Sequence, residues 1–231
     1  MYKRQEQSVP YEGRIECSGA TEGMYYDVQH ALEDTLADVR MDEDGEMRII
    51  GIEGTVSVRI NLYEEEELNL LEDLYSLEQK VSYQTREAVY EELLLQNQSK
   101  CKIVENLSLP ELKDDVLQIC HSSGSVQIEH VETRAEKQGG ILIEGILHVS
   151  FLYLKADDAL PFGNWQGMVP FSYLLECPDM PKDVRYQLSN RVEQISVTMT
   201  GSDSVEVKAV LDFDVFLRKE VPMQVITEVS L

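Results

Sequence analysis

The chain has 231 residues, 43% of them apolar, so it can bury a substantial core and is not a disordered tail. Its 43 acidic against 20 basic side chains give a formal charge of −23, which repels a phosphate backbone and argues against a nucleic-acid partner. No stretch reaches the roughly 18 consecutive apolar residues of a membrane span, and no apolar signal core opens the chain; a cytosolic chain without membrane insertion is the expectation.

Residues 1–5 fit no pattern found elsewhere in the chain and read as a foreign leader. Short strands are expected at 9–17, 36–41 and 48–62, with a turn at Glu43-Asp44-Gly45 between the last two. Glu64-Glu65-Glu66-Glu67 follows. Four consecutive acids in extended chain point to alternate faces, so a solvated connection is expected rather than a calcium site or a site for a basic partner. Strands at 80–90 and 99–106 flank Gln96-Asn97-Gln98-Ser99, which reads as a linker.

Ser108-Leu109-Pro110-Glu111 has the form of a helix start, leading into Leu112, Val116, Leu117 and Cys120 and stopped by Gly124. Strands are expected again at 125–131 and, most clearly, from Ile141 to Tyr153. There Ile141, Ile143, Gly145, Leu147, Val149, Phe151 and Tyr153 share one face, while Leu142, Glu144, Ile146, His148 and Leu152 share the other. The segment Pro161-Phe162-Gly163-Asn164-Trp165-Gln166-Gly167 reads as a turn-rich loop before a strand at 169–176. A short helix from Asp183 toward Val192 competes with simple alternation, and strands follow at 194–199 and from Val205 to Arg218. The odd-numbered residues Val205 to Leu217 are apolar, with Glu206, Lys208, Asp212 and Asp214 opposite. The chain is mainly β.

The sequence also repeats itself. Val9-Pro10-Tyr11, Glu16-Cys17 and Tyr26 return as Val169-Pro170-Phe171, Glu176-Cys177 and Tyr186, each 160 residues on. The run from Met47 answers to that from Val205 at an offset near 158, and Leu70 to Leu74 answers to Val225 to Val229 at 155. A duplicated unit follows, divided into residues 6–98, the latter part of a first unit, and 99–231, a second and nearly complete one. On this reading the chain is a piece of a longer protein.

Catalytic signatures are missing. The histidines at 30, 121, 130 and 148 lack helical metal-ligand spacing, although His130 and His148 could meet across a sheet. No Gly-x-Ser-x-Gly elbow or phosphate loop occurs, and Cys17, Cys101, Cys120 and Cys177 are spaced for neither zinc nor a redox pair. They read as buried, reduced thiols. The expectation is no enzyme, no metal and no cofactor. Phe162 and Trp165 are the candidate partner-binding residues, because loop aromatics make good anchors; local packing is the competing reading for Trp165.

Several of these segments together resemble a known family. Cys101-Lys102-Ile103-Val104-Glu105-Asn106, Leu109-Pro110-Glu111, the strand Ile141 to Tyr153 with its Glu144-Gly145, and Val169-Pro170-Phe171 look like the SPOCS domain of SipL-type spore coat morphogenesis proteins from clostridia and their relatives. The resemblance implies tandem antiparallel β-sandwich-like units, each with one or two short helices, the first incomplete. It further implies a noncatalytic scaffold in the mother-cell cytoplasm at the forespore surface, working with other spore coat morphogenesis proteins. These residues include no LysM-like segment, so the ATPase partner associated with that module is not carried over. The alternative is an envelope-associated or secreted tandem β-protein serving as spacer or carbohydrate-binding module.

Overall fold

Alternation with a period of two runs through nearly every element of the computed structural model, which describes residues 9–135, 139–156, 159–178 and 180–230. The strands are β1 (Tyr25–Met41), β2 (Met47–Tyr63), β3 (Ser82–Ser108), β4 (Val116–Arg134), β5 (Gly140–Lys155), β6 (Phe162–Glu176), β7 (Arg185–Met199) and β8 (Ser204–Ser230). All pairings are antiparallel. The chain divides between Leu70 and Leu71 into two compact units.

The larger unit is a sandwich of two three-stranded sheets, ordered β3-β8-β7 and β4-β5-β6. The middle strands supply the core. On β5, Ile141, Ile143, Leu147, Val149, Phe151 and Tyr153 are buried, and on β8 so is every odd-numbered residue from Val205 to Leu217. These are the two faces that alternation assigned to the interior. Each such side chain contributes about 1.5–3 kcal/mol by leaving water, an upper estimate because unfolded chains already bury some of it. Aromatic stacking ties the sheets together: Tyr173 of β6 lies over Phe213 of β8 with centroids 5.6 Å apart, and Phe171 approaches the same ring at 6.1 Å.

Both expected helices are absent. After Ser108 only a single 3₁₀ turn forms, Pro110–Leu112, with no side-chain cap. Leu109 donates its N–H to the Asp203 carbonyl, and Asp114 at φ 60° ends the turn. The segment then continues as β4. Its register shifts at Leu117, Cys120 and Glu129, so β-bulges interrupt the alternation and leave a spacing of apolar residues that imitates a helix. Leu117, expected inside, is 68% exposed. Gly124 stops nothing: it lies mid-strand opposite Val149, and a Cβ there would come within 2.7 Å of Ile195 Cδ1 from the facing sheet. The segment from Asp183 is likewise β-structure, entering β7, whose one bulge is at Glu193.

The Gln96–Ser99 stretch, expected as a linker, is strand. It runs unbroken inside β3, opposite Phe216 to Phe213 of β8, and Gln98 donates to Asp212 Oδ2 at 2.8 Å. Residues 9–17 take no strand conformation. Their counterpart, 169–176, sits in β6 and is laddered to β5, whereas 9–17 find no ladder partner among the described residues. Residues 1–5 lie outside the described residues.

The smaller unit is built on the β1–β2 hairpin. Its turn places Gly45 at φ +81°, with Asp42 Oδ1 accepting from the N–H groups of Asp44 and Glu46. The acids 64–67 follow β2 in irregular, exposed chain. The hairpin reproduces β7–β8: Glu33 is bulged out of β1 and Glu193, 160 residues later, is bulged out of β7. Tyr26 pairs with Leu62 as Tyr186 pairs with Leu217.

Two outcomes test this packing. Gly145 lies on the inner face of β5, where a Cβ would stand 2.4 Å from the Gln127 carbonyl oxygen, a backbone atom of the neighbouring strand. Gly145→Ala should therefore cost roughly 1–3 kcal/mol in a urea melt. Burial raises the Cys101 and Cys177 thiols above their ordinary 9.0. The unfolded chain then loses these protons first, so their contribution is intact below pH 9.0 and falls as pH rises past it. Cys101→Ala should flatten the alkaline decline in the urea midpoint.

Candidate functional site

Each sheet of the sandwich has an outer face, and the two differ in character. On β3-β8-β7 the outer face is charged. Asp212, only 3% exposed although it points away from the core, accepts from Arg191 Nε at 2.8 Å as well as from Gln98. Lys100 and Glu193 pair beside it at 2.7 Å. Arg191 stands directly opposite Asp212 on β7, so this is a cross-strand ion pair that holds register.

The outer face of β4-β5-β6 is uncharged over the rows nearest Phe162 and carries Glu132, Arg134 and Glu144 toward its other end. Its rows, read across β4, β5 and β6, are His121/Leu152/Asn164, Ser123/Ser150/Gln166 and Ser125/His148/Met168, followed by Gln127/Ile146/Pro170. A shallow depression of about 310 Å³ lies between the rows, lined by Ser123, Ser125, His148, Ser150 and Gln166 together with Gly124, Val149 and Gly167. His148 Nε2 is 3.1 Å from Gln127 Oε1. Three of the four histidines share this face without converging: His130 stands opposite Glu144 and His148 opposite Ser125, so those two do not meet. Among the described residues no group of three His, Cys, Asp or Glu could hold a metal ion.

The two aromatic candidates occupy opposite faces of one strand. Phe162 opens β6 across from Leu154 on the outer face and is 51% exposed. Trp165 faces inward, its ring stacked on Phe151 at 5.1 Å and its Nε1–H donating to Glu111 Oε1 at 3.1 Å. The segment expected as a loop is strand because its glycines provide room rather than turns. A Cβ on Gly163 would meet the Tyr153 ring at 2.3 Å, and one on Gly167 would meet the Trp165 ring at 2.0 Å. Both glycines give way to aromatic rings on the inner face. The thiols expected to be buried divide: Cys101 and Cys120 are buried, Cys177 is half-buried, and Cys17 is exposed.

The shared face of His121, His130 and His148 was missed in the sequence because it depends on strand register. Met168 and the Ser-Gln lining carry no sequence signature at all. The alternate row of β5, from Leu142 to Leu152, was the one available signal.

Phe162 to Leu175 carries no charged residue, in a chain that is 27% charged. β6 pairs with β5 along one edge only, so the other edge of this uncharged strand has no ladder partner in the sheet.

No curated protein and no solved structure matches the chain. A family model, described as SipL, SPOCS domain, matches residues 115–200, from the residue before β4 to the residue after β7. Those strands include the whole β4-β5-β6 sheet with its outer face, and over residues 115–200 the chain is similar to the SPOCS domain of the SipL family.

Proposed function

We propose that this chain is a noncatalytic protein-interaction scaffold in endospore formation, helping coat proteins assemble around the forespore from the mother-cell cytoplasm. The observation that carries the reading is the SPOCS match over residues 115–200. The surface supports it. The uncharged half of this outer face, bearing Phe162 and Met168, 51% and 64% exposed, offers apolar area to another protein without the desolvation cost of charges. The uncharged β6 edge beside it suits a partner that adds a strand. Other spore coat morphogenesis proteins are the partners this reading assigns.

Phe162 is the anchor of the surface, and Trp165 sets it from beneath by fixing β6 against Phe151. The two should separate experimentally. Phe162→Ala should weaken capture of coat proteins from sporulating cells while lowering the melt less than Trp165→Ala does. Trp165→Ala should lower stability by roughly 2–3 kcal/mol, less than a fully buried tryptophan, because its ring is only partly covered. Deleting the gene in a spore-forming host should leave coat displaced from the forespore while vegetative growth continues. Normal coat placement in that strain would remove the sporulation reading.

A further inference from the structure

The β1–β2 hairpin has one face that carries no formal charge. Below the bulge it holds Tyr26, Val28, His30 and Leu32 of β1 against Leu62, Ile60, Val58 and Val56 of β2. Beyond the bulge the same β2 row continues through Gly54, Ile52 and Ile50, opposite Thr35, Ala37 and Val39. No Asp, Glu, Lys or Arg stands in these paired rows; Glu33 and Arg48 are bulged out of the ladder at its two register shifts. Its side chains are open to solvent: Ile50 is 68% exposed, Leu32 63% and Ile52 59%.

The internal repeat says what such a face is for. In β7–β8 the matching row, Tyr186, Leu188, Asn190 and Val192 against Leu217, Val215, Phe213 and Leu211, faces the β4-β5-β6 sheet. There Leu211, Val215 and Leu217 are 0% exposed. The hairpin therefore has the side chains, the register and the bulge of a sandwich wall, in a position where that wall is wet. The inner face of β4-β5-β6 is already committed to β8 through Tyr173 and Phe213. A second copy of the chain presents a surface of matching length and chemistry, the same hairpin face.

We infer that two copies associate through their β1–β2 hairpins, stacking the uncharged faces into a four-stranded sandwich. Area permits it. Two strands of 17 residues, at about 3.3 Å per residue and roughly 10 Å across, give about 550 Å² per copy and so about 1,100 Å² in all, which clears the threshold of about 1,000 Å² for a specific interface. Charge placement permits it too. Asp27, Asp34, Asp38 and Glu53 lie on the opposite face, and the acids of the 42–46 turn lie at its tip, so stacking buries none of them. A two-fold axis sets the middle of each face, around Val56, against its counterpart.

The inference stands apart from the sporulation reading and can fail independently of it. Sedimentation velocity on the full chain over a dilution series should show a reversible monomer–dimer equilibrium. Added salt should strengthen it, because the remaining repulsion is between like net charges. Ile52→Glu combined with Ile60→Glu should abolish the dimer, while Leu36→Glu with Ile49→Glu, on the opposite face, should retain it. A variant that fails to fold is bypassed by crosslinking: with Cys17→Ser in the background, Val56→Cys should form an intermolecular disulfide in oxidised glutathione, and Ser57→Cys should not. A wild-type chain that stays monomeric throughout, a dimer that survives the Ile52/Ile60 pair, or crosslinking from Ser57 would each overturn the proposal.

Discussion

The larger unit depends on two central strands facing each other with their odd-numbered side chains inward. β5 and β8 are each flanked by a partner on both edges, so their backbone groups are satisfied within the sheets. Only the side chains must find company. Since the period is two, a slip of one residue in either strand would replace Ile143 and Leu147 by Glu144 and His148, or Leu211 and Phe213 by Asp212 and Asp214. Desolvating those groups would cost more than the apolar burial could return. Register is thus enforced from inside by exclusion and from outside by pairing, with Arg191 meeting Asp212 directly across β7 and β8.

The same constraint explains how a chain of charge −23 stays compact. On β8 and β1 the acids of the ladders stand in the row opposite the apolar one: Glu206, Asp212 and Asp214 on β8, and Asp27, Asp34 and Asp38 on β1. Several are held by a neighbour two residues along or directly opposite, as Asp38 is by Arg40 and Glu132 by Arg134. Such exposed pairs contribute little stability individually. Their effect is to keep charge on one side of each ribbon and leave the other free to pack.

How legible the fold was depended on whether an element obeyed the alternation. β5 and β8 did, and their buried rows were readable residue by residue. β4 did not. Three bulges reset its phase at Leu117, Cys120 and Glu129, and a strand whose phase resets every few residues presents apolar positions three or four apart, as a helix does. Glycines misled for a related reason: Gly124 provides space for Ile195 of the facing sheet, and Gly163 and Gly167 for the rings of Tyr153 and Trp165 within their own sheet, needs that appear only once the strands are paired and packed. Trp165 and Phe162 read as companions on a loop, but on a strand three residues apart they must take opposite faces. The duplication was legible because it needed no conformation at all, only order and spacing; that the repeated hairpins share a bulged glutamate could emerge only from the ladders.

The residues matched by the SPOCS family model and the residues that close the core are different sets. Residues 115–200 supply β4, β5 and β6 and the edge strand β7, yet within its own sheet β7 is laddered only to β8, and β3 is held by β8 as well. Without β8 the buried row of β5, from Ile141 to Tyr153, would lose the wall formed by Val205 to Leu217. Among the described residues that is the condition of the β1–β2 hairpin, whose apolar row is intact and exposed. The sandwich is therefore a property of the two sheets jointly. Since β3 and β8 are each 27 residues long and paired along their whole length, the strands that complete it also carry a two-stranded ribbon, Ser82 to Leu93 against Arg218 to Ser230, past the last core residue of β8. The ribbon's residues are exposed or half-buried, so what holds it is mainly the ladder of backbone hydrogen bonds continued from the sandwich, together with cross-strand contacts such as Arg218 with Glu91 at 2.9 Å.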